Sequence, residues 1–179
     1  MARRFIAASL LIAVAFVVTA EALGGDENQQ TCDRVHFKAL CKSLTKLPGV
    51  KSPNELMLAA VRVAIGKAKM VKGRVDQYKA SHHLKNPLLD MLDTCSKGYD
   101  SAISDLEDYQ QILATGGHIT PDDLSNKLNA VLTSAADCTT SFEERPNVQA
   151  LFTAEQQNVQ RVADNVLAIA VELHLASSG

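Results

Sequence analysis

Several kinds of site are missing from this chain of 179 residues. It has no CxxC pair, so the usual zinc-ligand spacing is absent. It has no glycine-rich phosphate loop, and its serines, histidines and acids do not fall in the spacing of a nucleophile elbow. Period-two apolar runs are lacking as well, which argues against a β-rich fold. Charges of both signs alternate, leaving neither a basic tail nor a long acidic block, so nothing draws the chain broadly toward nucleic acid or anionic lipid. Asn-x-Ser/Thr sequons are absent too, so N-glycans are not expected at any surface.

The one long apolar run is at the start. Arg3 and Arg4 precede an apolar stretch from Phe5 to Val18, and Ala20-Glu21-Ala22 has the small-x-small form that a signal peptidase cuts. The run is shorter than the ~20 residues of a spanning helix and no stop-transfer pattern follows. Residues 1–22 are therefore expected to be a signal peptide, and residues 23–179 a single secreted domain without a membrane segment. Cleavage after Ala22 leaves 157 residues with 16 basic and 19 acidic side chains, a formal charge of −3 with His neutral. That length is enough for one real core.

Four cysteines, Cys32, Cys41, Cys95 and Cys138, follow the leader. An even number in an exported chain implies paired thiols rather than metal ligands. Three connectivities are open. Position favours Cys32 with Cys41, closing a short hairpin, and Cys95 with Cys138, joining two long segments. In the loop-entropy picture the long link stabilises by ~4 kcal/mol and the short one by ~3 kcal/mol.

Helical periodicity dominates the rest. Leu23 to Gln30 is polar and reads as a loose arm, and short helical pieces follow to Leu47, giving a hairpin over about 30–47. Ser52 caps a first long helix, with Pro53 in its first turn and Glu55 at the third helical position. Leu56, Ala60, Val63, Ala64, Ala68, Val71, Val75 and Tyr78 recur at three and four along it. Gly66 and Gly73 lower its propensity while offering room for a close helix approach. Lys67, Lys69, Lys72, Arg74 and Lys79 form a basic flank, read as solvated.

Pro87 opens a second helix, with Leu88, Leu92, Cys95, Tyr99, Ala102, Leu106, Tyr109 and Leu113 on its inner stripe, ended by Gly116-Gly117. Thr120-Pro121-Asp122-Asp123 starts a third, carrying Leu124, Leu128, Val131, Ala135, Cys138 and Phe142. A last helix over about 148–175 places Leu151, Ala154, Val159, Val162, Val166, Ile169, Ala170 and Leu173 inward, its first turns more polar and less regular. The expected fold is all-α: an antiparallel up-and-down four-helix bundle over about 52–176 behind an N-terminal helical hairpin, with two disulfides.

No catalytic, cofactor-binding or metal-ligating residue emerges. His82-His83 lies in a turn and reads as a solvated pair; His36 and His118 flank turns and His174 is near the C-terminus. Acid pairs such as Asp90 with Asp93, Asp105 with Asp108, and Glu143 with Glu144 read as solvated faces. A rigid scaffold without chemistry points to a binder.

Three segments then stand out in order: the Cys32-x8-Cys41 hairpin, Cys95-Ser96-Lys97-Gly98-Tyr99-Asp100-Ser101-Ala102-Ile103-Ser104-Asp105-Leu106, and Ala135-Ala136-Asp137-Cys138-Thr139-Thr140-Ser141-Phe142-Glu143. Over essentially the whole mature chain this resembles the plant invertase and pectin methylesterase inhibitor family. The resemblance implies a four-helix bundle with a preceding hairpin, pairing of consecutive cysteines, and secretion to the cell wall, apoplast or vacuole. It also implies a stoichiometric protein inhibitor of pectin methylesterase or, alternatively, of acid invertase, binding through exposed polar residues of the first three long helices. The invertase branch carries Pro-Lys-Phe ahead of the last cysteine; here the matching stretch is Pro121-Asp122-Asp123, without the cation or the aromatic anchor. Phe142-Glu143-Glu144-Arg145-Pro146-Asn147 is closer to the pectin methylesterase branch. A further alternative is a secreted binding or structural protein that inhibits neither.

N-terminal sequencing of the protein secreted by a host expressing the full chain should begin at Leu23. A secreted product retaining residues 1–22 would contradict the leader assignment.

Overall fold

Capping chemistry sets the helix boundaries. The structure, a computed structural model, describes residues 25–117, 120–142, 146–149 and 152–177. Its helices are α1 (25–34), α2 (Lys38–Leu44), α3 (Pro53–Ser81), α4 (Leu88–Ala114), α5 (Pro121–Ser141), α6 (Pro146–Gln149) and α7 (Thr153–Ser177). At the head of α3, Ser52 Oγ accepts from the Glu55 backbone N–H, and the Glu55 carboxylate accepts from the Ser52 backbone N–H at 2.9 Å, a complete capping box. Thr120 does the same work for α5, its hydroxyl oxygen accepting from the Asp123 backbone N–H at 3.2 Å. Pro121-Asp122-Asp123 is therefore the first turn of a capped helix. Gly116 ends the α4 segment in the left-handed region at φ 68°, where a side chain would be strained.

The long helices α3, α4, α5 and α7 form a ring, with α3 packed on α4 and α7, and α5 packed on the same two. This is the expected antiparallel bundle, preceded by the α1–α2 hairpin. Its interior is mainly aliphatic, built from Leu56, Leu92, Leu106, Leu128, Val166 and Ile169 among others, with Tyr99 and Phe142 as the largest fully buried side chains. Each fully buried side chain of this kind stabilises by about 2 kcal/mol relative to exposure. Phe152 closes one end, edge-on to Tyr78 at 5.8 Å between ring centres and tilted against Phe142 at 6.1 Å. Among the described residues no helix is long and apolar enough to cross a membrane.

Both disulfides are present, Cys32 with Cys41 at a Cα separation of 5.3 Å and Cys95 with Cys138 at 4.7 Å. The second joins the buried stripes of α4 and α5. Gln156 of α7, itself buried, meets it: its Nε2 donates to Cys138 Sγ at 2.8 Å and its Oε1 accepts from Thr139 Oγ1 at 3.2 Å. Three of the four long helices thus converge on one cystine.

Some sequence expectations change. The polar stretch before Gln30 is helical from residue 25, because Asn28, Thr31, Cys32 and Val35 form a buried stripe at helical spacing. Gly66 and Gly73 mark no close approach; both are exposed, with open space where a Cβ would be. Val63 and Tyr78 are only partly buried, and Ala154 faces solvent. The last segment divides into α6 and α7, and Phe152 supplies the apolar contact at their junction. Leu151, His118, Glu143, Glu144, Arg145 and the leader fall outside the described residues.

Replacing Cys95 and Cys138 together by alanine should lower unfolding stability by about 4 kcal/mol, and the Cys32/Cys41 pair by about 3 kcal/mol. Urea denaturation of both double variants checks the order, which follows from loops of 43 and 9 residues. A larger loss from the hairpin pair would contradict it.

Candidate functional site

The basic flank of α3, apart from Lys67, is paired with carboxylates of the bundle. Lys69 pairs with Glu107 of α4 at 2.5 Å, and Lys72 with Asp76 at 2.7 Å and Asp100 at 3.4 Å. Lys79 pairs with Asp93 and lies 3.7 Å from Asp76, while Arg74 pairs with Glu155 of α7. On the other edge of α4, Lys127 of α5 reaches Asp105 at 3.4 Å and Asp108 at 3.9 Å. A row of α4 carboxylates therefore lies between cations from α3 and α5. Each exposed pair is worth ~0–1 kcal/mol, so the lattice acts mainly by fixing long side chains and patterning charge.

Asp76 is its node. Besides Lys72, its carboxylate accepts from Ser96 Oγ of α4 at 2.7 Å. Burial pushes the Asp76 pKa up, but the hydrogen bonds from Lys72 and Ser96, with the charges of Lys72 and Lys79, outweigh it and hold the carboxyl below its ordinary value. The Lys72 ammonium moves the opposite way, raised first by its hydrogen bond to Asp76.

The sequence-derived histidine and acid pairs form no reactive cluster. His82 stacks on Tyr78 at 4.0 Å, with its Nδ1 2.9 Å from the Tyr78 carbonyl, which finishes the C-terminal turn of α3. His36 Nδ1 lies 2.9 Å from Asp164 Oδ2. Among the described residues no three His, Cys, Asp or Glu side chains come together to hold a metal, and all four cysteines are spent in disulfides. The side chain of His174 lies outside the described ones.

The hairpin docks on α7 through polar contacts that periodicity did not single out. Asn165, fully buried, accepts from the Phe37 backbone N–H at 3.1 Å and donates to the Phe37 carbonyl at 3.0 Å. Arg34 reaches Glu172 at 2.9 Å. The available signal was a polar residue inside an apolar stripe: Asn165 sits three residues after Val162 and four before Ile169, and Gln156 three before Val159. These contacts hold the α1–α2 turn rigidly against the bundle, leaving a cavity of about 590 Å³ between hairpin, α3 and α7.

A family model described as plant invertase/pectin methylesterase inhibitor matches residues 26–169. Two solved structures share the fold. A mutant form A of a pectin methylesterase inhibitor from Arabidopsis superposes with a TM-score of 0.64 at 18% identity, covering 78% of this chain and 91% of that one. A pectin methylesterase inhibitor from Arabidopsis thaliana superposes with a TM-score of 0.60 at 18% identity, covering 81% and 94%. No curated protein sequence matches significantly.

Substituting Asp76→Asn should cost about 1 kcal/mol at pH 6, a fall in Tm of about 2–4 °C. Because the folded pKa lies below the unfolded value of ~3.9, the ionised carboxylate's contribution is complete above that value and is lost as pH falls through the folded one. The Tm difference between the two proteins should accordingly shrink as pH falls below that unfolded value; a difference unchanged from pH 6 to pH 2 would contradict the charge-based account.

Proposed function

The chain belongs to the plant invertase/pectin methylesterase inhibitor family, and from that premise we propose that it is a secreted protein inhibitor of pectin methylesterase, acting by stoichiometric occlusion of the enzyme's cleft. The observation that carries the reading is the family match over residues 26–169, supported by a bundle shared with two structures whose own function is pectin methylesterase inhibition. The proposed mature unit is residues 23–179, exported to the apoplast or cell wall with Cys32–Cys41 and Cys95–Cys138 intact.

The proposed contact surface is the exposed polar face of α3, α4 and α5. Its ion-pair lattice favours this assignment: side chains already held in place lose less freedom on binding, and alternating charge supplies register to a partner's own pattern. The disulfide fixes α4 against α5, and salt bridges such as Lys69–Glu107 fix α3 against α4, so the face docks as one body.

Acid invertase is the second target. The Pro121-Asp122-Asp123 turn opens α5 as a capped helix start and puts carboxylates where the invertase branch has a cation and an aromatic. Acids near the positive end of a helix dipole favour the helix and oppose docking on an acidic cleft. That favours pectin methylesterase.

Titration of the oxidised secreted protein against a pectin methylesterase and an acid invertase from the same plant, across mildly acidic pH, tests the reading. Saturating one-to-one inhibition of the methylesterase with no effect on invertase is expected. Inhibition of invertase alone would transfer the chain to the other branch, and inhibition of neither by folded protein would mark a non-inhibitory role.

A further inference from the structure

The groove between the hairpin and α7 differs in its charge from the ion-pair lattice of α3, α4 and α5. Its floor is apolar, from Phe37, Ala39, Leu40 and Val162, and its rim carries Lys38, Lys67 and Arg161. Among the described residues no carboxylate lines it, and Asp164 stands behind the lining His36 at 2.9 Å from its Nδ1. Lys69, Lys72, Arg74, Lys79 and Lys127 each have acidic partners, whereas Lys38, Lys67 and Arg161 form no salt bridge among the described residues. Lys67 and Arg161, without a salt-bridge partner among the described residues, and Lys38, whose charge is shared with Asp33, surround one apolar cavity on a chain that is acidic overall and are complementary to an anion.

The groove is also preformed. Phe37 is 37% exposed, unusual for a residue of its size, yet its backbone is held at both N–H and C=O by buried Asn165. The Arg161 guanidinium lies 6.0 Å from the Phe37 ring centre, a cation–π contact that steadies the side chain and leaves its N–H edge available. A cavity of about 590 Å³ falls within the roughly 300–1,000 Å³ of small-molecule sites, which are mainly apolar with a few convergent polar groups.

We propose that this groove binds a small organic carboxylate with an aromatic or aliphatic body, the body lying on Phe37, Leu40 and Val162 and the carboxylate meeting Arg161 and Lys67. The lining favours that class over an acidic sugar. A saccharide's many hydroxyls need acceptors as well as donors, and apart from the backbone and His36 the lining offers only the Asn158 amide as a neutral polar side chain. Hydrocarbon faces need neither. The site lies on the hairpin–α7 side and does not depend on the inhibitor reading.

The test uses 2-naphthoate as probe, titrated by calorimetry into the full-length-expressed, secreted protein, with NMR shift mapping to locate it. Saturable one-to-one binding is expected, with shifts centred on Phe37, Leu40 and Val162. Neutral 2-naphthamide should bind about tenfold or more weakly, as should 2-naphthoate to the variant combining Arg161→Gln and Lys67→Gln, since charge-assisted hydrogen bonds are lost. Phe37→Ala should weaken both aryl probes alike. Unfolding curves of each variant verify the fold. No saturable binding, equal affinity for naphthoate and naphthamide, or indifference to all three substitutions would overturn the proposal. Binding of trigalacturonate in the groove with naphthoate excluded would overturn it in favour of an acidic-sugar site.

Discussion

The cystine between Cys95 and Cys138 is the constraint on which the bundle's geometry rests. It brings the start of the α4 buried stripe and the end of the α5 buried stripe to a Cα separation of 4.7 Å. Cross-links of this kind act on the unfolded ensemble, and this one closes a loop of 43 residues. Its second consequence is local. A buried sulfur is a weak acceptor, and the buried Gln156 amide of α7 uses it while taking a hydrogen bond from Thr139. The fourth helix, α3, is then held by packing between α4 and α7 and by salt bridges to each. A buried glutamine without these partners would be costly, so its position is tied to that of the disulfide.

Charge on this molecule is arranged differently on two of its surfaces. Across α3, α4 and α5, cations and carboxylates are mutually satisfied, centred on Asp76 with partners at 2.7 Å on both sides. Such a face has little net pull but a defined pattern, which suits selective recognition by another protein. Around the hairpin groove the balance is reversed: Lys67 and Arg161 have no salt-bridge partner among the described residues and stand beside an apolar floor. The hairpin's rigid seating by Asn165, His36–Asp164 and Arg34–Glu172 separates the two surfaces.

Much of the fold was legible in residue order. The caps at Ser52 and Thr120, the stop at Gly116, and the inner stripe of α4 from Leu92 to Tyr109 are present as read. Reading failed where a polar residue was buried or an apolar one was not. Asn28 made a helix look like an arm, Gln156 and Asn165 were invisible inside apolar stripes, and Ala154 was placed inward although its turn faces solvent. The basic flank of α3 illustrates the same limit for charge: Lys69 is separated by 38 residues from its partner Glu107, and local context shows only a lysine on an outer face.

The sequence alone determined the helical class, the helix starts and stops, the export signature as an expectation, and which stripes carry cysteines. These depend on residues within a turn or two of one another, through capping, backbone freedom and a period of 3.6. Tertiary structure decided which lysines are neutralised, what satisfies each buried amide, and where an apolar hollow meets unpaired cations. The contact between Phe37 and Asn165 spans 128 residues, and such pairings exist only once hydrophobic burial has set the helices side by side.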